Sequence, residues 1–438
     1  MPNRPSRFWI IAAFVLTSAF SAPSYAQTVQ ISPVSSEYQS RADKLLEILK
    51  GSQKEESFFA SSFLDAVPLT QFRNFLSQIN IQYGQPVSIR RIIPASNTDG
   101  TVEISYTKAI VAMRMVLDSN APHPVIGLQV TGANINSDSI QKITEEFRDL
   151  PGIASFQIAD LSGAKIQTVA AFHADKQLAI GSTFKLYILA ELSRSIAAKE
   201  HRWSDVVTLD RKSLPSGVLQ NWPDGAPLTL QTLATLMISI SDNSATDILI
   251  NALGRKNIEE MLRLTGHAQS AKTIPLLTTL EMFALKMPAN DDLREAFVAA
   301  SEDEQQRLIE TKQDRLDLPS VSISNLANKP LHIDTIEWFA SPADISKLLH
   351  YIAKTGDPVV RDILKINPII PPGDALRWVV IGAKGGSEPG VISFAFLTES
   401  HSGKTYAVSG SWNNNQIPVD ATKFISMMNR LLNLTAAR

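Results

Sequence analysis

A serine and a lysine, three residues apart, stand where an apolar helix is predicted to begin. Ser182 and Lys185 lie in the run Gly181-Ser182-Thr183-Phe184-Lys185, which is followed by an apolar segment. Residues three apart share one face of a helix, so the amine of Lys185 could take the proton of the Ser182 hydroxyl. Free backbone N–H groups at the helix N-terminus could hold a negative oxygen. The pattern predicts an activated serine nucleophile.

Ser-x-x-Lys is weak evidence by itself, because a serine at the start of a helix is most often an ordinary N-cap. The same pattern occurs from Ser139 to Lys142 and from Ser162 to Lys165, and neither stretch opens an apolar helix. The chemical interpretation of Ser182 therefore depends on motifs further along the chain.

Two further motifs complete a set of three. One is Ser241-Asp242-Asn243, a polar break between two predicted helices, and the other is Lys384-Gly385-Gly386, at the end of a predicted strand. In this order the motifs resemble those of the penicillin-recognising serine enzymes, and most closely the class A β-lactamases. The family pattern is Ser-x-x-Lys, then Ser-Asp-Asn, then Lys-Thr-Gly or a variant on the strand that lines the site. The resemblance covers residues 137–438.

The resemblance implies a role for each matching residue. Ser182 would attack a carbonyl and be acylated, and Lys185 would be its base, directly or through water. Ser241 would pass a proton to the leaving nitrogen. The substrate would be bound by Asn243 through an amide, by Lys384 through a carboxylate, and by the strand residues Gly386 and Ser387, with the backbone N–H groups of Ser182 and Ser387 as the oxyanion hole.

The class A enzymes also use a carboxylate for deacylation. Those enzymes carry, on a loop after Ser-Asp-Asn, a glutamate that activates water, and the resemblance implies Glu281 for this catalytic role. Leu285 stands where the family has a companion asparagine, so a surface glutamate on a helix is the alternative. Glu337 is a poorer candidate. Gly385 is a further departure, because the family usually places a hydroxyl residue there to donate to the substrate carboxylate.

The segments around the motifs predict an α+β fold. Residues 137–438 have strand patterns near both ends and helices in the middle, with a charged, helical insertion over 291–334. The two ends must therefore meet in one antiparallel sheet, flanked by helices and an all-α subdomain, as in the β-lactamase/transpeptidase fold. Lys354-Thr355-Gly356 also matches the third motif, but it follows a predicted helix that Gly356 would end.

Residues 27–136 predict a small, separate α+β domain that precedes the hydrolase domain. Its helices and strands resemble the NTF2-like or cystatin-like modules, and we expect a binding or spacing module because no catalytic constellation is found in it. The predicted helices cover 40–50 and 70–79, and the predicted strands cover 87–93, 102–117 and 125–130.

Residues 1–26 predict a signal peptide. Arg4 and Arg7 precede an apolar run, and Ser24-Tyr25-Ala26 supplies the small residues for cleavage after Ala26. The alternative is an uncleaved anchor, but the run is short for a membrane span of about 20 residues. We expect a bacterial protein of the periplasm or the exterior, with no stable membrane anchor after cleavage.

Composition limits the possible partners. The 438 residues carry a formal net charge of -2, which argues against nucleic acid, and no cysteine, which excludes disulfides, thiol nucleophiles and thiolate metal sites. The seven histidines show no metal-ligand spacing, so we expect no cofactor and no metal. The expected partner is a small molecule, a β-lactam or a cell-wall peptide, bound by a single chain.

Three hypotheses of function follow. The leading one is an exported serine hydrolase of the class A β-lactamase type, which hydrolyses β-lactam amide bonds through a Ser182 acyl-enzyme. The second is a D-alanyl peptidase or an esterase of the same fold, which would stay acylated by penicillin. The third is a non-enzymatic penicillin or muropeptide receptor, which would not need the proton-transfer set of Ser182, Lys185 and Ser241.

Overall fold

Two units with separate apolar cores make up the chain, Met1–Asn136 and Ser137–Arg438. The computed structural model describes residues 33–55, 57–326 and 328–438. The predicted signal peptide lies outside the described residues.

The first unit packs helices against a four-stranded antiparallel sheet in which the strands follow one another in order. Apolar side chains of the helices, such as Leu45 and Phe72, pack on Val102 and Val111 of the sheet. The elements are α1 (Ser36–Leu49), α2 (Ser61–Ala66), α3 (Leu69–Tyr83), β1 (Pro86–Pro94), β2 (Asp99–Tyr106), β3 (Ala109–Leu117) and β4 (Val125–Ile135).

The single strand predicted over 102–117 is wrong, because the chain turns within it. Residues 102–106 end β2, residues 109–117 form β3, and Ser105 pairs with Ile110 across the hairpin. The backbone N–H of Thr107 donates to the carbonyl of Gln85, and that of Lys108 donates to the carbonyl of Tyr83 at the end of α3. These two hydrogen bonds fix the turn. The sequence lacks the Asn-Gly or Asp-Gly pair that marks a tight hairpin, so the two strands look like one.

The second unit is built on a five-stranded antiparallel sheet with the order β11-β12-β13-β5-β6. Strands from the two ends of the unit therefore pair, with Ile158 opposite Val408, and the predicted α+β fold with an antiparallel sheet is confirmed. The strands of this unit are β5 (Ile153–Asp160), β6 (Gln167–Phe172), β7 (Leu178–Ala179), β8 (Val206–Thr208), β9 (Pro227–Thr229), β10 (Phe339–Ala340), β11 (Trp378–Glu388), β12 (Val391–Ser400) and β13 (Thr405–Asn413).

Helices cover both faces of this sheet. Phe147 of α4 and Phe424 of α16 pack on one face, and the helices between β7 and β11 form the core on the other. None of the helices that the structure describes is long and apolar enough to cross a membrane. The helices are α4 (Ile140–Arg148), α5 (Lys185–Ala197), α6 (Leu230–Ser239), α7 (Asn243–Leu253), α8 (Arg255–Leu264), α9 (Thr279–Leu285), α10 (Asp291–Ala299), α11 (Glu302–Thr311), α12 (Ile323–Leu326), α13 (Pro342–Thr355), α14 (Pro358–Lys365), α15 (Pro372–Ala375) and α16 (Ala421–Ala436).

Candidate active site

Ser182 lies in a short 3-10 turn, Gly181–Phe184, that leads directly into α5. The ring of Phe184 stacks on the ring of Trp338, with 3.7 Å between the ring centroids, and this contact holds the turn in place. The carbonyl of Trp338 also accepts a hydrogen bond from the N–H of Ile180. Ser182 is half-buried at the head of this helix.

Lys185, the first residue of α5, has a fully buried side chain. Its amine donates to the carbonyl of Ser241 at 2.7 Å, to Ser241 Oγ at 3.1 Å and to Asn243 Oδ1 at 2.7 Å. Burial lowers the pKa of Lys185 well below its ordinary value, and the positive charge of Lys384 lowers it further. A lowered pKa makes the neutral amine easier to reach, and a neutral amine can accept the proton of a serine hydroxyl.

Ser241 stands at the break between α6 and α7 with a left-handed backbone, φ 59°. The buried carboxylate of Asp242 maintains this geometry, because it accepts from the N–H groups of Ala245, Val218 and Leu219. As a result Ser241 Oγ lies 3.1 Å from the amine of Lys185 and 3.1 Å from that of Lys384. A hydroxyl between two amines can hand on a proton.

Asn243 begins α7 with its side chain directed to the same place. Its amide accepts from Lys185 and donates to the carbonyl of Leu214 at 2.8 Å. The three motifs therefore meet in space around Ser241. The copy of the third motif at Lys354-Thr355-Gly356 does not take part, because it ends α13 with Gly356 in the left-handed conformation, as predicted.

Lys384 lies inside β11, which continues to Glu388 and is longer than the predicted strand. Its buried amine donates to Ser241 Oγ and to the carbonyl of Gly385. Burial lowers the pKa of Lys384 to about 7. Lys384 thus joins β11 to the break between α6 and α7 through Ser241.

Gly386 allows β11 to approach the serine turn closely. A Cβ on Gly386 would lie 2.5 Å from the backbone N of Ser182, which no side chain permits. A Cβ on Gly181 would in turn lie 3.3 Å from the backbone N of Ser387. The two glycines therefore allow the backbone at Ser182 and the backbone at Ser387 to approach closely.

Glu281, which the resemblance implies as the hydrolytic base, is held by partners of its own at a helix N-terminus, and its catalytic role stays a prediction. It lies in the first turn of α9 and forms a capping box with Thr278. Its carboxylate accepts from Arg255 Nη2 at 2.7 and 2.9 Å and from the N–H of Thr278 at 2.8 Å. Both oxygens are used by a helix cap and an ion pair, which is a structural role that the Thr-x-x-Glu spacing also predicts.

Glu281→Gln is expected to lower stability and leave acyl-enzyme hydrolysis unchanged. Loss of the ion pair with Arg255 and weakening of the cap should cost about 1–2 kcal/mol of the free energy of unfolding. Urea unfolding measures the first effect, and mass spectrometry of the acylated protein over time measures the second. Glu260→Gln, which removes an exposed carboxylate of α8, is the matched control. Trapped acyl-enzyme in Glu281→Gln alone would support the catalytic assignment.

The loop between α8 and α9, residues 265–278, carries no aspartate or glutamate. It follows Ser-Asp-Asn, where the class A resemblance expects the deacylating carboxylate. The loop is held tightly, because the carbonyls of Leu276 and Leu277 accept from Arg255 at 2.7 Å and from Trp338 Nε1 at 3.0 Å. The residues that the resemblance required for acylation are assembled, but this loop supplies no base for deacylation.

A buried cluster of Lys286, Glu337 and Glu388, which we name the Lys286 cluster, lies beside the site. The amine of Lys286 donates to Glu337 at 2.8 Å and to Glu388 at 2.5 Å. The side chains of Lys286 and Glu337 are fully buried, and that of Glu388 is 12% exposed. Burial and the neighbouring charge of Glu337 raise the pKa of Glu388. Glu337, the poorer candidate for the base, is thus held in an ion pair.

The Lys286 cluster connects three segments that form the site. Glu388 follows Ser387 on β11, Lys286 is the C-cap of α9, and Glu337 precedes the Trp338 that stacks on Phe184. Sequence reasoning missed the cluster, because no local pattern relates three residues so far apart in the chain. In the part of the chain that the structure describes, no group of three or more His, Asp or Glu side chains could hold a metal ion.

The antiparallel sheet between helices, with its lysines and serines assembled at the head of α5, defines a hydrolase of the β-lactamase-like class. Residues 137–365 match the β-lactamase enzyme family, and the chain belongs to this family. No curated protein matches the chain.

Solved structures show the same similarity at low identity. A β-lactamase from Sphaerobacter thermophilus DSM 20745 is 19% identical, over 68% of this chain and 96% of that one, with a TM-score of 0.45. PBP-A is 16% identical, over 67% of this chain and 94% of that one, with a TM-score of 0.47. A β-lactamase from Chitinophaga pinensis DSM 2588 is 14% identical, over 68% and 98%, with a TM-score of 0.45.

Proposed function

We propose that residues 137–438 form an exported active-site-serine hydrolase whose Ser182 is acylated by β-lactams or by related peptide amides. The observation that carries this proposal is the position of Ser241 Oγ, 3.1 Å from both the Lys185 and the Lys384 amine, next to the turn that presents Ser182. This arrangement connects the Lys185 amine, through Ser241, to the Lys384 amine. Export is proposed from the predicted signal peptide.

In the proposed acylation, the neutral amine of Lys185 takes the proton of Ser182 as Oγ bonds to the carbonyl carbon. The backbone N–H groups of Ser182 and Ser387 stabilise the oxyanion. When the carbon–nitrogen bond breaks, Ser241 gives its proton to the leaving nitrogen and regains one from the Lys185 ammonium. The acyl-enzyme ester then remains on Ser182, and Lys185 is neutral again.

A second candidate concerns the fate of the acyl-enzyme. Residues 265–278 carry no carboxylate, and Glu281 is held by Arg255 and Thr278. Neither therefore supplies a base that would activate water to hydrolyse a β-lactam acyl-enzyme. This observation favours a peptidase or esterase of the same fold over an efficient β-lactamase. Penicillin would then acylate Ser182, and the acyl-enzyme would be hydrolysed slowly.

Mass spectrometry of the intact protein after addition of a penicillin or a cephalosporin tests both candidates. We expect an adduct on Ser182 that persists while free β-lactam is removed. A transient adduct with accumulating hydrolysed product would establish an efficient β-lactamase. The absence of an adduct with either compound would contradict acylation by β-lactams.

Acylation should become faster as the pH rises, and Lys384→Met should move this increase to higher pH. Lys185 must lose its proton to act as a base, and the charge of Lys384 helps to lower its pKa. Without Lys384, Lys185 keeps its proton to a higher pH. The rate constant of acylation by a fluorescent penicillin, measured across pH, checks this shift, with the exposed Lys404→Met as the control. An ascending limb that stays in place or moves to lower pH would contradict it.

A further inference from the structure

The strand that leads into the serine turn, Gly181–Phe184, is β7, which is only two residues long. β10 pairs with one edge of β7, where Phe339 is opposite Ala179. A pair of strands this short makes few hydrogen bonds and is marginal without further support. Because Ser182 follows Ala179 by three residues, the position of Ser182 depends on what binds the other edge of β7.

The side-chain amide of Asn413 binds that other edge. Its Oδ1 accepts from the N–H of Ala179 at 2.8 Å, and its Nδ2 donates to the carbonyl of Ala179 at 2.9 Å. These are the two hydrogen bonds that a facing residue of an antiparallel strand would make. Ala179 is fully buried, so loss of the amide would leave two backbone groups without this partner and away from water.

Asn413 is itself held in the middle of the five-stranded sheet. It is the last residue of β13, and its backbone is opposite Val391 of β12 and Ile153 of β5. Strands on both sides therefore fix the point from which its side chain extends. Through its amide, the main sheet is connected to β7.

The same sheet carries β11, which approaches the serine turn at Gly386. A Cβ on Gly386 would lie 2.5 Å from the backbone N of Ser182, so this approach limits how close the two segments can come. The Asn413 amide adds two directional hydrogen bonds between the sheet and the chain that leads to Ser182. A misplacement of about 1 Å can cost about a hundredfold in rate, so a connection that fixes the turn relative to β11 bears on the reaction.

We propose that Asn413 is a positioning residue for the acylation of Ser182, because its amide sets the place of β7, and hence of the serine turn, relative to β11. The inference rests on the proposed acylation and adds to it a residue outside the three motifs. Asn413 acts through Ala179 and takes no part in the transfer of a proton or of the acyl group.

Asn413→Leu, which keeps the size of the side chain and removes the amide, should slow the chemical step. We expect the maximal rate constant of acylation by a fluorescent penicillin to fall by about tenfold to a hundredfold. The concentration that gives half of this rate should stay within about twofold, since β11 is unchanged and substrate binding is retained. Stopped-flow fluorescence over a range of penicillin concentrations separates the two constants.

Asn414→Ala is the matched control for this variant. It removes the hydrogen bonds of the next side chain to Pro151 and Gln416 and none to β7, so it should be acylated at the native rate. Equal slowing in the two variants, or a native rate in Asn413→Leu, would overturn the inference and leave the proposed function intact. Absence of labelling in the native protein would overturn both.

Asn413→Asp tests the two hydrogen bonds themselves. Its carboxylate can accept from the N–H of Ala179 but repels the carbonyl, whereas its protonated form donates to that carbonyl and restores both bonds. Burial and the carbonyl both oppose ionisation of this carboxyl group. The ratio of its acylation rate constant to that of the native protein should therefore rise by about tenfold as the pH falls from about 8 to about 5.

The other charges near Asn413 do not disturb this ratio. Lys176, Lys272, Asp334 and Glu337 line a cavity of about 450 Å³ that Asn413 also lines, and all proteins compared carry them. The titration of Lys185 is likewise common to the variant and the native protein at each pH. The ratio for Asn413→Leu should stay constant with pH, because leucine cannot gain a proton. A ratio for Asn413→Asp that stays constant as well would overturn the inference.

Discussion

Ser182→Ala is expected to abolish covalent labelling by a β-lactam while the fold remains intact. The turn that carries Ser182 is held by the Phe184–Trp338 stack and by backbone hydrogen bonds, so loss of the hydroxyl should change the free energy of unfolding by only about 0.5 kcal/mol. The rate of acylation should fall by at least about a thousandfold, because the variant has no atom to attack the carbonyl. Intact-mass spectrometry measures the labelling, and urea unfolding measures the stability.

A serine from the same sequence pattern supplies the matched control. Ser139 begins another Ser-x-x-Lys, and its hydroxyl accepts from the N–H of Lys142 as the N-cap of α4. Ser139→Ala should therefore cost about 1 kcal/mol of stability and retain full labelling. The two variants separate a serine that caps a helix from one that reacts. Labelling that persists in Ser182→Ala would move the nucleophile to another residue.

The three motifs were predictable because each depends on a local event in the chain. A serine at the start of an apolar helix, a polar break between helices and a glycine pair in a strand are all visible in the sequence. The left-handed backbone of Ser241 and the capping carboxylate of Asp242 then complete a geometry that the motif only indicates. The α+β fold followed from strand patterns at both ends of the unit.

Other features depend on tertiary register, which local patterns do not encode. The hydrogen bonds between Asn413 and Ala179 exist because the end of β13 lies beside β7 in the folded chain. The partners of Glu281, by contrast, follow from the local Thr-x-x-Glu spacing that begins at Thr278. In its observed place, the geometry of a helix N-terminus determines what the carboxylate binds.

Lys286→Met is expected to destabilise the protein by about 3–5 kcal/mol, because it leaves Glu337 and Glu388 buried without a cation. β11 carries Ser387, whose N–H belongs to the proposed oxyanion hole, and ends at Glu388, so acylation should slow as well. Urea unfolding at pH 7 measures the loss, and Lys404→Met, an exposed lysine, should change stability by less than about 0.5 kcal/mol. A change as small as that of the control would contradict the structural role of the Lys286 cluster.

The pH dependence of this loss follows from the two carboxylates. Burial already raises the pKa of Glu388 above its unfolded value, and removal of Lys286 would raise it further. A carboxyl whose pKa is raised in the folded state costs stability above its unfolded pKa, so the deficit of Lys286→Met should shrink as the pH falls toward about 4. Adding Glu337→Gln and Glu388→Gln removes both charges and should recover much of the deficit at pH 7, since a neutral buried set needs no cation. A deficit that is the same at both pH values would indicate that Lys286 stabilises the site through packing of its side chain alone.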